Sequence, residues 1–269
     1  LLRAADVAFS YGPAPILRGV SMEVPAEGLV GVLGPNGSGK TTLLRVLAGV
    51  LRPSHGRVLL DGNDLSRTSR PLLARRMAVV PQETHLAFDY TVMEVVLMGR
   101  YPHLRAFEIE GPTDFAIGRE ALAATGTLAL QDRPFGTLSG GEKQRVIIAA
   151  ALAQISGAAG AGLLLLDEPT VALDLSYQLE LAGLLLDLQQ RLPIAIAIST
   201  HDLNFAASVC RTLVLLKDGV VLAAGATADV LTPALIRDLY GVEADVSRHA
   251  ASGRLVVIPV RRVGAGSAR

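Results

Sequence analysis

Two short glycine-rich stretches dominate the chemistry available to this chain: GPNGSGKTT at 34–42 and LSGGE at 138–142. In the first, Gly34, Gly37 and Gly39 let the backbone curl so that successive N–H groups point inward. Phosphate then sits at the N-terminus of a helix beginning near Lys40. Lys40 is placed to reach terminal phosphates, Thr41 to ligate Mg²⁺ through its hydroxyl, and Thr42 to bind an α-phosphate. In the second stretch Ser139, Gly140 and Gly141 precede another helix, again an anion-binding geometry. It has no lysine and no preceding strand, so it cannot hold a nucleotide alone. A composite site accounts for the duplication: the cradle of one subunit holds ATP, and the serine–glycine corner of a second copy closes over its γ-phosphate. A two-fold dimer generates two such sites.

The remaining polar candidates end apolar runs. LLLLDEP carries four leucines, as a buried parallel strand does, and Asp167 emerges at its C-terminal end as the expected Mg²⁺ carboxylate. Glu168 beside it can orient or deprotonate a water near the γ-phosphate. Gln82 ends MAVVPQ and can meet the metal or the water; His201 ends IAIAISTH and can meet the γ-phosphate. Tyr11 follows the first apolar run and can stack on adenine.

These residues need a scaffold of alternating strands and helices. Short apolar runs bounded by Gly, Pro or Asp are expected as strands at 4–10, 29–34, 57–62, 77–82, 163–168, 194–200, 213–219 and 220–225. The Asp218–Gly219 pair is a hairpin turn signal. Helical patterns fall at 39–49, 72–76, 91–100, 114–125, 140–154, 175–190, 203–210 and 233–240, the last opening on Thr232 and Pro233. Strand, loop, helix, strand recurs at both ends of the chain, as a covered parallel sheet requires. The stretch 84–157 shows helices without clear strands and is expected as a helical subdomain inserted into the α/β core. Beyond Gly241, VEADVS (242–247) is set to pair with GRLVVIPV (253–260), and RRVGAGSAR is expected to fray.

Composition narrows the classes. The 269 residues carry 25 basic and 25 acidic side chains, which excludes a broad nucleic-acid footprint. A single cysteine, Cys210, allows no intramolecular disulfide and is expected as a buried small thiol. The stretch LLRAADVAFSYG lacks a positive segment followed by an apolar run, so no secretory signal is expected in it. VIIAAALAQISGAAGAGLLLL (146–166) carries no charge, but Gln154 and SGAAGAG divide it into a helix end, a loop and a strand start rather than a membrane span.

With these motifs in hand, the chain resembles the ATP-binding cassette (ABC) ATPases of membrane transporters. GPNGSGKT is similar to their Walker A motif, so Pro35, Asn36 and Ser38 join the glycines, Lys40, Thr41 and Thr42 as nucleotide contacts. LLLLDE is similar to Walker B and LSGGE, ending in Glu142, to the signature. Gln82, Asp174 and His201 match the Q-, D- and H-loops, and Tyr11 the adenine-stacking position. The resemblance covers about residues 4–241. It implies a P-loop α/β fold with a RecA-like core, an N-terminal antiparallel β-subdomain and an inserted α-helical subdomain. It also implies an ATPase domain over 1–241 and a small appendage over 242–269. ATP and Mg²⁺ would be sandwiched between two head-to-tail copies, with Glu168 as general base, His201 stabilising γ-phosphate and water, and Asp174 coupling the two sites.

Two positions depart from the family pattern: Glu142 stands where Gln is also frequent, and Val171 stands where serine is usual. A cassette for chromosome maintenance or repair would carry a long coiled coil between cradle and signature, one for translation a second nucleotide domain, and many exporters fused membrane helices. The chain instead looks like a stand-alone cassette that docks on separate permease subunits at the cytoplasmic face of the inner membrane. VVLMGRYPH, AISTHDLNFAASVCRTLVLLKDG and PALIRDLYGVEADV resemble importers for iron–siderophore, haem or cobalamin. In those, the region 84–110 would accept a permease helix, and a substrate-binding protein would be met only indirectly. Another small cargo, or a non-transport ATP-dependent switch, remains open at this point.

Overall fold

The structure is a computed structural model and describes residues 1–84, 88–157, 160–171 and 173–263. In chain order the elements are β1 (Leu2–Tyr11), β2 (Ala14–Val24), β3 (Leu29–Leu33), α1 (Lys40–Leu47), β4 (His55–Leu60), β5 (Asn63–Asp64), α2 (Arg70–Arg76) and β6 (Met77–Val80). There follow α3 (Val92–Met98), α4 (Pro112–Ala124), α5 (Gly140–Ile155), β7 (Gly162–Asp167), α6 (Leu175–Arg191) and β8 (Ile194–Thr200). The chain closes with α7 (Leu203–Val209), β9 (Thr212–Lys217), β10 (Val220–Ala226), α8 (Thr227–Val230), α9 (Pro233–Tyr240), β11 (Val242–Arg248) and β12 (Leu255–Arg262). The fold is a RecA-like α/β ATPase core with an N-terminal antiparallel β-subdomain and an inserted α-helical subdomain. It divides into two compact units, one of Leu1–Ser66 with Ala197–Arg269 and one of Arg67–Ile196.

The first unit contains an antiparallel sheet in the order β2-β1-β4-β5 and a second strand series, β10-β9-β3-β8. β3 is buried at all five positions, without alternation, as a parallel strand covered on both faces should be. It runs parallel to β9 with Leu33 opposite Leu215. Gly31 lies where side chains crowd in: a Cβ there would come within 2.6 Å of Leu213 Cδ2 and 2.8 Å of Cys210 Sγ. Cys210 is the expected buried thiol, and burial pushes its pKa up. The β9–β10 hairpin turns at Asp218 and Gly219, both in the left-handed region (φ 49 and 78). The antiparallel β11–β12 pair joins the two expected tail strands. The expectation of fraying is corrected at its start: Arg261 and Arg262 belong to β12, and the Val263 N–H donates to Gly241 O at 2.8 Å. Residues 264–269 of that expectation lie outside the described residues.

In the second unit the strand order is β8-β7-β6, and β7 is buried at all six positions. β6 runs parallel to β7 with Val80 opposite Leu166. α3 opens on a capping box in which the Thr91 hydroxyl accepts the Glu94 N–H and the Glu94 carboxylate accepts the Thr91 N–H. Arg100 is a buried cation satisfied twice, by Asp114 at 2.9 Å and by the Ala153 carbonyl at 2.6 Å. Those bonds tie the end of α3 to the starts of α4 and the last turn of α5, and the guanidinium holds the Asp114 carboxyl below the usual range. The uncharged run 146–166 is divided as expected, α5 ending at Ile155 and β7 starting at Gly162. No helix among the described residues is long and apolar enough to cross a membrane.

Candidate functional site: a phosphate cradle and a capped glycine corner

The cradle belongs to the first unit and connects β3 to α1. Gly37 and Gly39 take φ of 80 and 101, conformations that a side chain would strain. At Gly34 the constraint is space, since a Cβ would sit 2.2 Å from Leu216 O. Ser38 N–H donates to Pro35 O at 3.2 Å, and Gly219 N–H donates to Ser38 O at 3.1 Å, which closes the loop. Lys40 is buried, and its Nζ donates to Gly34 O (2.8 Å) and Pro35 O (3.1 Å), so the cation lies inside the ring of backbone. Asn36 is exposed at the rim, Thr41 is half-buried and Thr42 is buried.

α1 has no side-chain cap and no acid in its first turn, so nothing in the chain offsets the positive end of its dipole. The Ser38 hydroxyl is buried with no hydrogen-bond partner among the described residues. A buried, unsatisfied hydroxyl beside an uncapped helix start and a buried ammonium fits a phosphate, which would satisfy all three.

His201 leaves β8 beside the cradle: Gly34 N–H donates to Thr200 O at 3.4 Å, so Gly34 and His201 start from the same end of neighbouring strands. Tyr11, at the end of β1, is half exposed and packs edge-on against Phe9 with ring centroids 4.9 Å apart.

In the second unit Asp167 closes β7 and Glu168 follows, both buried. Glu168 has φ 47, a strained conformation for a side chain of its size, and Val171 N–H donates to its carbonyl at 3.1 Å. Gln82 lies two residues beyond β6 rather than on it, and is exposed. The parallel register of β6 and β7 starts Gln82 and the Asp167–Glu168 pair from one sheet edge. No group of three or more His, Cys, Asp or Glu among the described residues could cage a metal. The donors that fit Mg²⁺ are therefore few, Thr41, Gln82 and Asp167, in keeping with a metal completed by phosphate oxygens and water.

The signature stretch forms the first turn of α5. The Ser139 hydroxyl accepts the Glu142 N–H at 3.3 Å, and the Glu142 carboxylate accepts the Ser139 N–H at 2.8 Å. That second bond holds the Glu142 pKa below the usual carboxylate range. Asp174, at the start of α6, accepts the Tyr177 N–H at 3.0 Å. Tyr177 escapes a motif search. Its oxygen accepts the Ser139 hydroxyl at 3.2 Å, and its ring lies so close to Gly141 that a Cβ there would come within 2.1 Å of Cδ1. Arg145 and Glu180, 2.7 Å apart, pin the same two helices one turn further on. Within this unit, then, Ser139, Gly141 and Asp174 meet through one tyrosine. The only hint in the sequence was its place three residues after Asp174.

A strand–cradle–helix unit with a carboxylate-ended parallel strand defines a P-loop nucleotide-binding α/β protein. The sequence profile of ABC transporters matches residues 17–171, and the chain belongs to that family. It is an ATP-hydrolysing cassette of ATP-driven transport. The hemin import ATP-binding protein HmuV of Bordetella pertussis is 43% identical over 261 residues, covering 96% of this chain and 98% of that one. The ferric enterobactin transport ATP-binding protein FepC of Escherichia coli K12 is 35% identical over 267 residues, covering 99% and 97%. Among solved structures, a transporter assigned to the metal-chelate type, in an inward-facing conformation, superposes with a TM-score of 0.83 at 29% identity, covering 96% of each chain.

Proposed function

We propose that this chain hydrolyses ATP to drive import of a metal chelate or corrinoid, of the iron–siderophore, haem or cobalamin kind, through separate permease subunits. The observation that carries the ATPase half is the uncapped α1 start with its buried Lys40 and unsatisfied Ser38 hydroxyl. The near full-length similarity to hemin and ferric enterobactin import ATPases supports the cargo class.

In this reading Gly34 to Thr42 wrap the phosphates with backbone N–H groups, Lys40 contacts the terminal phosphates and Tyr11 stacks on adenine. Thr41, Asp167 and Gln82 hold Mg²⁺, which when bound neutralises phosphate charge. Glu168 takes the proton of the attacking water, while Gln82 and His201 orient water and γ-phosphate. Ser139, Gly140, Gly141 and Glu142 of a second copy close the site, and Asp174 links the two sites across the dimer. The permease would dock near 84–110, where Phe88, Tyr101, Phe107 and Ile109 are exposed. The cassette then works at the cytoplasmic face of the inner membrane and meets a substrate-binding protein only through the permease.

The test pairs chemistry with transport. Glu168→Gln keeps side-chain size and removes the base, so phosphate release should fall about 10²- to 10⁴-fold while ATP binding survives. In vesicles holding cassette and permease, ATP should drive uptake of a ferric siderophore, haem or cobalamin. Near-normal phosphate release from Glu168→Gln would remove Glu168 from its role. ATP turnover with uptake of none of the three would overturn the cargo class.

A further inference from the structure

Two features do no work in the phosphate chemistry: Asn204 of THDLN, and everything beyond Gly241. Within the first unit they meet. Asn204 stands in the first turn of α7, three residues after His201. Its side-chain amide pairs with the backbone of Val257 in β12 twice, Nδ2 donating to Val257 O at 3.1 Å and the Val257 N–H donating to Oδ1 at 2.8 Å. A primary amide that satisfies both groups of one strand residue stands in for a neighbouring strand, and two bonds fix its plane where one would leave a pivot. Val257 is itself buried, and α7 packs on β12.

A second contact reaches His201 directly. The hydroxyl of Tyr240, at the end of α9, donates to the His201 carbonyl at 3.2 Å. Tyr240 is held in turn. Gly241 takes φ 66, and its carbonyl accepts the Val263 N–H, so the far end of the β11–β12 pair closes on the residue after Tyr240. Glu243 pairs with Arg261 (2.6 Å) and Arg237 (3.5 Å), joining both strands to α9.

His201 needs such support. β8 holds the loop on one side, but on the other side α7 has only seven residues, too short to be a stiff anchor alone. The Asp202 carboxylate caps α7, and its N–H donates to Thr200 Oγ1 at 3.0 Å, which fixes the turn locally but not the helix. The ring of His201 must arrive within about 3 Å of a phosphate oxygen to bond it, so small rotations of α7 matter.

We propose that the C-terminal α9–β11–β12 segment is a strap that sets the position of His201, with Asn204 and Tyr240 as its positioning residues. The inference rests on the reading of His201 as a γ-phosphate contact. It assigns a task to the tail: the strap governs turnover and leaves nucleotide capture to the cradle.

The test uses the full chain. Tyr240→Phe removes one hydroxyl, Asn204→Ala removes both amide bonds, and Asn204→Asp keeps the acceptor for the Val257 N–H and loses only the donor. In Asn204→Ala/Tyr240→Phe, kcat for ATP should fall about tenfold, as a misplaced group would make it, with KM and direct ATP binding within about twofold. Asn204→Asp should stand between this variant and the wild type. Hydrogen exchange should rise over residues 201–206 and stay unchanged over 34–42. Ordinary kcat in the double variant overturns the strap, and so does an equal loss of affinity and turnover. His201→Ala run alongside separates the two levels. If it turns over normally, the reading of His201 fails and takes the strap with it. If it is inactive while the double variant is normal, only the strap fails. Should Asn204→Ala not fold, the same kcat–KM split in Asn204→Asp and Tyr240→Phe decides.

Discussion

The helix that begins at Lys40 and the one that begins at Gly140 both start on glycine-rich backbone, yet their first turns are finished in opposite ways. α1 has no cap and no acid, a buried lysine beside it, and Gly39 in the left-handed region just ahead of it. α5 is capped on both sides of its box, carries Glu142 in its first turn, and has the Ser139 hydroxyl engaged with Tyr177. An uncapped start leaves several N–H groups and the dipole's positive end to a ligand, whereas a capped, acid-bearing start has spent part of that capacity internally. The first is built to capture phosphate. The second suits adding a hydrogen bond to phosphate that something else already holds.

The largest difference should appear on removing Lys40. Lys40→Ala withdraws a charge-assisted contact, so ATP affinity should fall about 10- to 100-fold by calorimetry. Ser139→Ala should leave the affinity of the isolated cassette within about twofold and lower turnover instead. Equal losses of affinity in the two variants would erase the distinction between capture and closure.

Gly141→Ala comes next. The added methyl meets the Tyr177 ring, and overpacking of this kind costs about 1–3 kcal/mol, seen as a lower Tm. Gly141→Ala/Tyr177→Ala should regain much of that stability by removing the obstacle. Wild-type stability in the single variant would contradict the ring-on-glycine contact.

Tyr177→Phe keeps the ring on Gly141 and deletes the oxygen that accepts the Ser139 hydroxyl. One such bond is worth about 0.5–1.5 kcal/mol, so kcat should change about two- to tenfold with KM nearly constant. An unchanged kcat would leave Tyr177 a packing residue only.

The smallest effect concerns Glu142. Its pKa is held low in the folded chain, so its contribution to stability is complete above the unfolded value and is lost as pH falls through the folded one. The Tm gap between wild type and Glu142→Gln should therefore be open at neutral pH and close as pH is taken below 4.5, the group's ordinary value. A gap that widens on acidification would reverse the sign and refute the capping account.

The same comparison explains what could be read from the sequence. The cradle is one contiguous strand, loop and helix, so every residue from Gly34 to Thr42 announces its geometry locally. β7 and β8 were legible because strands buried throughout are unbroken apolar runs. β2 was missed. It is an eleven-residue strand, but Pro15 and Gly19 interrupt it, and bulges shift its register against β1, so its buried Leu17, Val20, Met22 and Val24 do not keep a clean period of two. Gly19, with φ 71, sits where β1 has Asp6 at φ 51. Tyr177, Asn204 and Tyr240 stayed hidden for a different reason. Each acts on a partner between 38 and 53 residues away, and only tertiary packing brings that partner near.

The central claim is that cradle and corner serve one nucleotide from two different copies of the chain. Heterodimers carrying two affinity tags, purified and kept from exchanging subunits, test it most directly by phosphate release. With Lys40→Ala on one copy and Ser139→Ala on the other, both lesions fall in the same composite site and one site stays intact. With both substitutions on one copy and a wild-type partner, each site carries a lesion. The account predicts that the split arrangement is the more active of the two. Equal rates, or the opposite ranking, would contradict it, and the opposite ranking would place cradle and corner in the same copy's site.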